Sequence, residues 1–282
     1  DLARRVSDQA EMDFTFLHDA SRNLLSIGYN VSDRRIDPAF YDLLASEARL
    51  ASYLLVARGD LEQEHWFALG RQLTAQEGAI ALLSWSGSMF EYLMPLLLMP
   101  TFDHTLLDET YRAVVSRQME YGRLRGVPWG ISESCYHLTD AQGTYQYSAF
   151  GVPGLGLKRG LADDLVIAPY ASALALLVHP REACQNLERL SADGYEGAYG
   201  HVEAIDFTPS RNPRGKRGVA LRSYMAHHQG MSLLSLGSVL LGQAMQRRFL
   251  SDPYFKASEL LLCERIPKKT SPIHPHAAEV SA

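Results

Sequence analysis

Apolar side chains recur every three or four residues over seven stretches of this chain, at 40–57, 89–99, 105–121, 169–178, 180–192, 224–245 and 253–264. That spacing stacks them on one face of an α-helix and leaves the opposite face for water. In the first stretch Leu43, Leu44, Ala48, Ala51, Leu54 and Leu55 carry the pattern. Pro38, behind Asp37, serves as its start signal and Gly59 as its stop. Asp103 suits an N-cap for the third stretch, and Pro180 suits the first turn of the fifth. Between the helices lie long segments rich in Gly and aromatics, at 126–133, 145–160 and 195–213. Irregular segments of that length inside a compact domain are usually functional. Strand signals are few, no strand–helix–strand alternation is evident, and no repeat of fixed period is found. The pattern therefore predicts an all-α architecture of paired helices with active-site loops at one end and minor β-hairpins. A mixed α+β domain is the alternative, should 14–31 and 136–150, where apolar and polar residues partly alternate, form sheets.

Composition narrows the function classes. With 282 residues, 46% hydrophobic and 21% charged, the chain can bury a large core. Its formal net charge of -5 gives no basic stripe for nucleic acid and fits anionic lipid poorly. The longest apolar run, 92–99, is too short to span a bilayer and is interrupted by Pro95, so no direct membrane insertion is expected. No signal peptide is visible, and a start at Asp1 reads as a piece cut from a longer protein. Residues 1–267 read as the folded domain and 268–282 as a linker-like tail. The three cysteines, Cys135, Cys184 and Cys263, are far apart and odd in number, so they suggest neither a disulfide framework nor a metal site. His227 and His228 are adjacent and point different ways on a helix, which makes them a poor metal pair. No metal and no cofactor are expected: GVPGLGLKRG at 151–160 matches neither dinucleotide nor P-loop spacing, and GxSxG is absent.

Five acidic side chains sit in settings that could carry chemistry. In PWGISESCYH, at 128–137, Glu133 stands four residues after Trp129 among small hydroxyls. An aromatic face can stack on a pyranose ring, and desolvation raises a nearby carboxyl toward the working range of an acid. Exposure is nevertheless the common state of a loop glutamate. Glu47 has Leu43, Leu44, Leu50 and Ala51 as helical neighbours, at a stripe edge or in a pocket. Glu91 is the only charge between Glu77 and Asp103, and is exposed or specifically partnered. Glu203 and Asp206 lie three apart beside Tyr199 and His201, at a spacing that a loop capping a helix would also give.

Seven strings occur in a consistent order: YDLLASEARL, LLSWSGSMFEYLMP, GVPWGISES, YQYSAFGVPGLGLKRGL, DDLVIAPYA, HVEAIDFTP and YMAHHQGMSL. Together they resemble the glycoamylase-like domain family, and are most similar to the central, cyclising domain of cyclic β-1,2-glucan synthases. The resemblance runs from 14 to 267. It implies an (α/α)6-barrel-like helical toroid, complete or short of its twelve helices, and linear β-1,2-glucan as substrate. It further implies a transglycosylase that closes the glucan into a ring, with an inverting endo-β-1,2-glucanase and a non-catalytic glycan-binding module as alternatives. The implied partners are glycosyltransferase and phosphorylase-like domains of the same full-length chain, and the implied location is the cytoplasmic side of a bacterial inner membrane. By the same resemblance Glu133 and Glu47 are the catalytic pair, with Glu91 and Glu203 as supporting acids. Trp85, Trp129, Tyr145 and Tyr147 are the implied stacking residues. Arg159, Asp163, Asp164, Tyr224, His227, His228 and Gln229 are the implied contacts to sugar hydroxyls.

Overall fold

The computed structural model describes residues 1–76, 78–269 and 271–276. The chain opens with α1 (Leu2–Ala10), an amphipathic helix with no buried residue. Next come the short strands β1 (His18–Asp19), β2 (Leu24–Ser26), β3 (Tyr29–Asn30), β4 (Arg35–Ile36) and β5 (Phe40–Tyr41). Strands β1, β2 and β5 form one antiparallel sheet, and β3 and β4 a hairpin beside it. α2 (Arg49–Arg58), α3 (Glu64–Ala68), the hairpin β6 (Leu73–Gln76) and β7 (Ala79–Leu82), and α4 (Met89–Leu93) follow. The long α5 (Leu106–Arg125) leads into a second hairpin, β8 (Ser134–Thr139) and β9 (Tyr145–Ser148). The remaining elements are β10 (Val166–Ile167), α6 (Pro169–Leu174), α7 (Pro180–Ala192), β11 (Glu196–Gly197), β12 (Gly200–His201), β13 (Ala204–Asp206), β14 (Val219–Leu221), α8 (Ala226–Leu240), α9 (Ala244–Phe249) and α10 (Pro253–Ala257).

Helices dominate, but the all-α expectation needs correction. Among the described residues there are two three-stranded and four two-stranded sheets, and the regions 14–31 and 136–150 do form sheets. Helix expectations also change: the stretches 89–99, 169–178 and 253–264 are α-helical only over 89–93, 169–174 and 253–257 and continue as 3-10 turns, and two others change more. The stretch 40–57 is helical only from Arg49, because Phe40 and Tyr41 pair with β2 and Leu43 bridges to Gly70. Cross-chain hydrogen bonds there outweigh a helical period that the sequence alone displays. The stretch 224–245 breaks into α8 and α9, where Gly242 and Gln243 both adopt left-handed φ values of 59°. Two left-handed residues in succession cannot continue a right-handed helix.

One contiguous core joins these elements. Tyr53 and Trp66 from α2 and α3, Met89, Tyr92 and Leu93 from α4, and Val114 and Val115 from α5 are buried with Ile205 and Leu221 from the β13–β14 ladder. Arg49 anchors it electrostatically. Buried at the start of α2, its Nη1 donates to the carbonyls of Ser46 and Glu91 at 2.9 Å. Its Nη2 donates to the Tyr92 carbonyl and, at 3.1 Å, to the Tyr111 hydroxyl. One guanidinium thus ties α2, α4 and α5 together and fixes the turn at 46–48. α8 leaves Leu233, Leu236 and Leu240 in solvent. No described helix is long and apolar enough to cross a membrane. Past the last helix, the Ile273 N–H donates to the Leu73 carbonyl at 2.8 Å and His276 bonds the Leu157 carbonyl.

Candidate active site

A cleft of about 560 Å³ opens where β5, the 46–48 turn, the 84–88 loop and the segment before β8 meet. Glu47, Glu91 and Glu133 all line it, together with Tyr41, Asp42 and Trp85. Each carboxylate reaches the cleft by a different route.

Glu91 belongs to the loop that holds it. Ser88 is the N-cap of α4, and its side chain accepts from the Glu91 N–H while the Glu91 side chain accepts from the Ser88 N–H. This reciprocal cap satisfies two of the amides that a helix start leaves unpaired. Glu91 also accepts from the hydroxyls of Ser84, Ser86 and Ser88 at 2.9, 2.6 and 3.0 Å, and from the Ser86 N–H at 2.9 Å. It is a buried charge with its partners supplied, so it organises the loop and lends its field to its neighbours. The loop is clamped from outside as well. The Ser84 N–H donates to the Leu155 carbonyl, the Ser84 and Trp85 carbonyls accept from the N–H groups of Leu157 and Lys158, and a Cβ on Gly151 would lie 1.7 Å from the Ser86 carbonyl oxygen. Only glycine permits that approach.

Glu133 sits on backbone fixed from three sides. Gln118 of α5 clamps Ile131 with two bonds of 2.8 Å. The Ser132 hydroxyl accepts from the Phe90 N–H of α4. Tyr170 of α6 donates its hydroxyl to the Glu133 carbonyl at 3.0 Å. Burial pushes the Glu133 carboxyl up to about 7, the charges of Glu47 and Glu91 add to the rise, and the Tyr147 hydroxyl and Lys158 oppose it. The Tyr147 hydroxyl donates to Oε2 at 3.4 Å. Glu47, on the turn before α2, is likewise pushed up by burial and by the Glu91 charge. Its own backbone, the Ser46 hydroxyl and Arg49 pull the other way. Two carboxyls of raised basicity thus face one cavity, and Glu47 makes Glu133 harder to ionise.

The remaining sequence-derived residues divide. Trp85 is 62% exposed on the cleft wall, suited to stacking on a sugar face. Tyr147 stands between Glu133 and His228, its hydroxyl 3.4 Å from Oε2 and 3.4 Å from Nε2. Glu203, His228 and Gln229 line a second pocket of about 210 Å³. Glu203 bonds His228 Nδ1 at 2.8 Å. Trp129 is corrected: it is buried in the core, with Asn186 and Ser172 bonding its backbone, because the 126–133 segment packs under α6 and α7. Tyr145 packs against the same core. Asp164 forms an ion pair with Arg211, which also binds Asp206 at 2.6 Å. Arg159 and Asp163 are exposed on the 158–164 loop. Tyr224 stacks edge-on against Tyr199 at 5.7 Å, and His227 is exposed beside His228 at 4.0 Å between ring centroids. Sequence reasoning assigned no role to Tyr41, Tyr170 and Lys158. All three lie inside the quoted strings, but spacing gave no sign of which way they face.

A protein-family model described as Putative glucoamylase matches residues 39–253. The chain belongs to this Glycoamylase family. It is 50% identical over 268 residues to the cyclic beta-(1,2)-glucan synthase NdvB of Rhizobium meliloti (strain 1021), covering 95% of this chain and 10% of that protein. The fold is similar to that of a putative glucoamylase from Bacteroides fragilis NCTC 9343, with a TM-score of 0.62 at 19% identity over 92% of this chain and 62% of the other. It is also similar to an endo-beta-1,2-glucanase from Chitinophaga pinensis, with a TM-score of 0.62 at 16% identity over 89% and 61% of the two chains. The chain therefore spans about a tenth of the synthase and about three-fifths of these Glycoamylase-like structures.

Proposed function

We propose that this Glycoamylase-family chain is a retaining transglycosylase domain that closes linear β-1,2-glucan into a ring. The observation that carries the reading is the pair Glu47 and Glu133, two carboxyls of raised basicity on one cleft walled by an exposed tryptophan. The cleft is an acid–base site in need of a neutral, hydroxyl-rich substrate. The synthase relative supplies the substrate class.

Glu133 acts as nucleophile and Glu47 as acid/base. Glu133 attacks the anomeric carbon and forms a glycosyl–enzyme, while Glu47 protonates the leaving oxygen. The far end of the same glucan then takes the place of water, giving up its hydroxyl proton to Glu47 as the new linkage forms. Glu133 is the member of the pair with a tyrosine hydroxyl aimed at it, a donor suited to its ionised form. Glu91 holds the 84–88 loop and keeps the cleft's field negative, which favours oxocarbenium-like charge on the sugar. Trp85 and Tyr147 contact the chain, and His227, Gln229, Arg159, Asp163 and Tyr224 lie on exposed surface where the longer glucan runs. The helices described here form one arc of a helical toroid, with residues 1–267 as the catalytic domain. Within a full-length synthase this domain works on the cytoplasmic side of the inner membrane, between glycosyltransferase and phosphorylase-like domains.

The test is incubation of the purified chain with linear β-1,2-glucan, followed by mass spectrometry. Products lighter by one water than linear chains of equal length support the proposal. Short linear products instead assign hydrolysis, the activity named for the Chitinophaga pinensis neighbour. No product, with glucan binding retained, assigns a binding module.

A further inference from the structure

A nucleophile must be ionised to attack, yet the cleft works against ionising Glu133, because burial disfavours its charged form and the neighbouring carboxyls Glu47 and Glu91 add to that effect. Behind Glu133 lies a line of polar groups that catalysis by a carboxylate pair does not by itself require. The Tyr147 hydroxyl is 3.4 Å from Glu133 Oε2 and 3.4 Å from His228 Nε2. His228 Nδ1 is 2.8 Å from Glu203 Oε1, and both side chains are 1% exposed. The His228 ring is held flat against Tyr170, with centroids 3.7 Å apart and planes 10° from parallel. Tyr170 is in turn bonded to the Glu133 carbonyl and to Ser132, so the imidazole and the nucleophile share one rigid support.

We propose that Tyr147, His228 and Glu203 form a proton relay that takes the proton from Glu133 and stores it on His228. Glu203 faces Nδ1, so that nitrogen carries a hydrogen and Nε2 presents its lone pair to Tyr147. The Glu133 carboxyl proton passes to the Tyr147 oxygen as the Tyr147 proton passes to Nε2. Glu133 becomes a carboxylate, Tyr147 remains a neutral phenol whose O–H now points at Glu133, and His228 becomes an imidazolium facing the Glu203 carboxylate. No proton is gained or lost, and the positive charge appears beside a buried negative one. The two 3.4 Å contacts are longer than ordinary O–H bonds, and the transfer requires both to shorten when the cleft is filled. The reverse transfer returns the proton when Glu133 is released from the sugar.

Other charged and titratable groups around this line are Glu47, Glu91 and Lys158 at the Glu133 end, Cys135 near Tyr147, and His227 against His228. None of these bonds Nε2 or Nδ1 of His228, so the relay has one entry and one store. Tyr147, His228 and Glu203 are positioning residues in this scheme, because they act through Glu133. The inference rests on Glu133 being the nucleophile.

Carboxyl carbon NMR of the chain labelled with ¹³C-glutamate tests it, with the Glu133 resonance identified by its loss in Glu133→Gln. His228→Gln keeps a donor to Glu203 but cannot accept a proton. It should move the Glu133 titration midpoint up by about one pH unit. Glu203→Gln, which changes one atom and keeps the shape, should also move it up, because the imidazolium loses its counter-charge. A simple field effect of removing Glu203 has the opposite sign and would lower the midpoint. A midpoint in Glu203→Gln that falls or stays within about 0.2 pH unit of the wild type overturns the relay, and so does an unmoved midpoint in a folded His228→Gln. The measurement needs no turnover, so absence of product from glucan would sink the transglycosylase reading and leave this result standing on its own.

Discussion

At the scale of the residue, Glu91 and Glu133 have the same side chain, share one cleft and are made opposites by their neighbours. Glu91 receives two backbone N–H groups and three serine hydroxyls, which is what an ionised carboxylate needs. Glu133 receives one long bond from Tyr147 and is pushed up by burial to about 7. Glu133→Gln should therefore abolish turnover, by about 10³-fold or more, with glucan binding largely kept; measured ring formation and a binding titration check this. A second prediction separates the roles. If Glu133 is the nucleophile, kcat/KM of His228→Gln, in which the carboxyl must give its proton to solvent, should climb as pH rises through and above about 7, whereas the absence of any rising limb there would remove Glu133 as nucleophile. A third concerns Glu47. On a β-1,2-gluco-oligosaccharide carrying a dinitrophenyl leaving group, which departs without a proton, Glu47→Ala should be rescued by azide, a nucleophile that needs no base, and the glycosyl azide should keep the β configuration. Inverted product, or no rescue with wild-type folding, would remove Glu47 as acid/base.

At the scale of the element, the 84–88 loop and the 151–156 segment decide the shape of the cleft. They meet so closely that Gly151 has no room for a methyl group, with the Ser86 carbonyl oxygen 1.7 Å from the site of a Cβ. Gly151→Ala should destabilise the chain by about 2–4 kcal/mol and lower the activity of whatever remains folded. Gly237 in α8 is the contrast, since a Cβ there meets nothing within 4 Å and its φ is helical. Gly237→Ala should stabilise by about 0.5–1 kcal/mol. Thermal melts of the two variants side by side check both signs. The short helices follow the same logic as the loops. α4 has five residues and is held by its capping box, by Arg49 and by packing, because so short a helix has little stability of its own.

At the scale of the whole molecule, an acidic cleft makes stability depend on pH. The folded chain holds the Glu133 proton up to about 7, whereas the unfolded chain releases it near 4.5. Between those values the native state binds more protons than the unfolded state, so stability falls as pH rises through this window and levels off above about 7. Allowing for the solvent that still reaches the group, the loss is about 2 kcal/mol. Glu47 acts in the same direction, while Asp206 opposes it. Burial raises Asp206, but Arg211, Thr208 and the His137 N–H outweigh burial and hold its carboxyl below the ordinary value, so its contribution is lost on acidification. Glu133→Gln removes the Glu133 penalty. Its melting temperature at pH 8 should exceed the wild type's by several degrees, with the gap closing toward pH 4.5. An equal melting temperature at pH 8 would show that Glu133 is not strained in the native state.

Helix content, the order of the main helices and the segments that build the cleft were legible in the sequence, because a helical period and its stop signals are local and survive in one dimension. Helix α7 lies where spacing and Pro180 put it, and α5 starts within one residue of expectation. The motif strings also brought Glu47, Glu91, Glu133 and Trp85 to notice as cleft residues. What spacing could not convey was which way a side chain faces once distant segments meet. Trp129 and Trp85 read alike in one dimension, yet α6 and α7 close over the first and leave the second in solvent. The ion pair of Asp164 with Arg211, 47 residues away, has no signal in local spacing. The helix expected from residue 40 lost its first turns to strand pairing with β2. The raised basicity of Glu133 is a property of the assembled cleft, because it needs burial and two other carboxyls, one from the turn before α2 and one from the first turn of α4. Local periodicity is written in neighbours along the chain, while orientation, partnership and field are set by neighbours in space, and only the tertiary structure decides those.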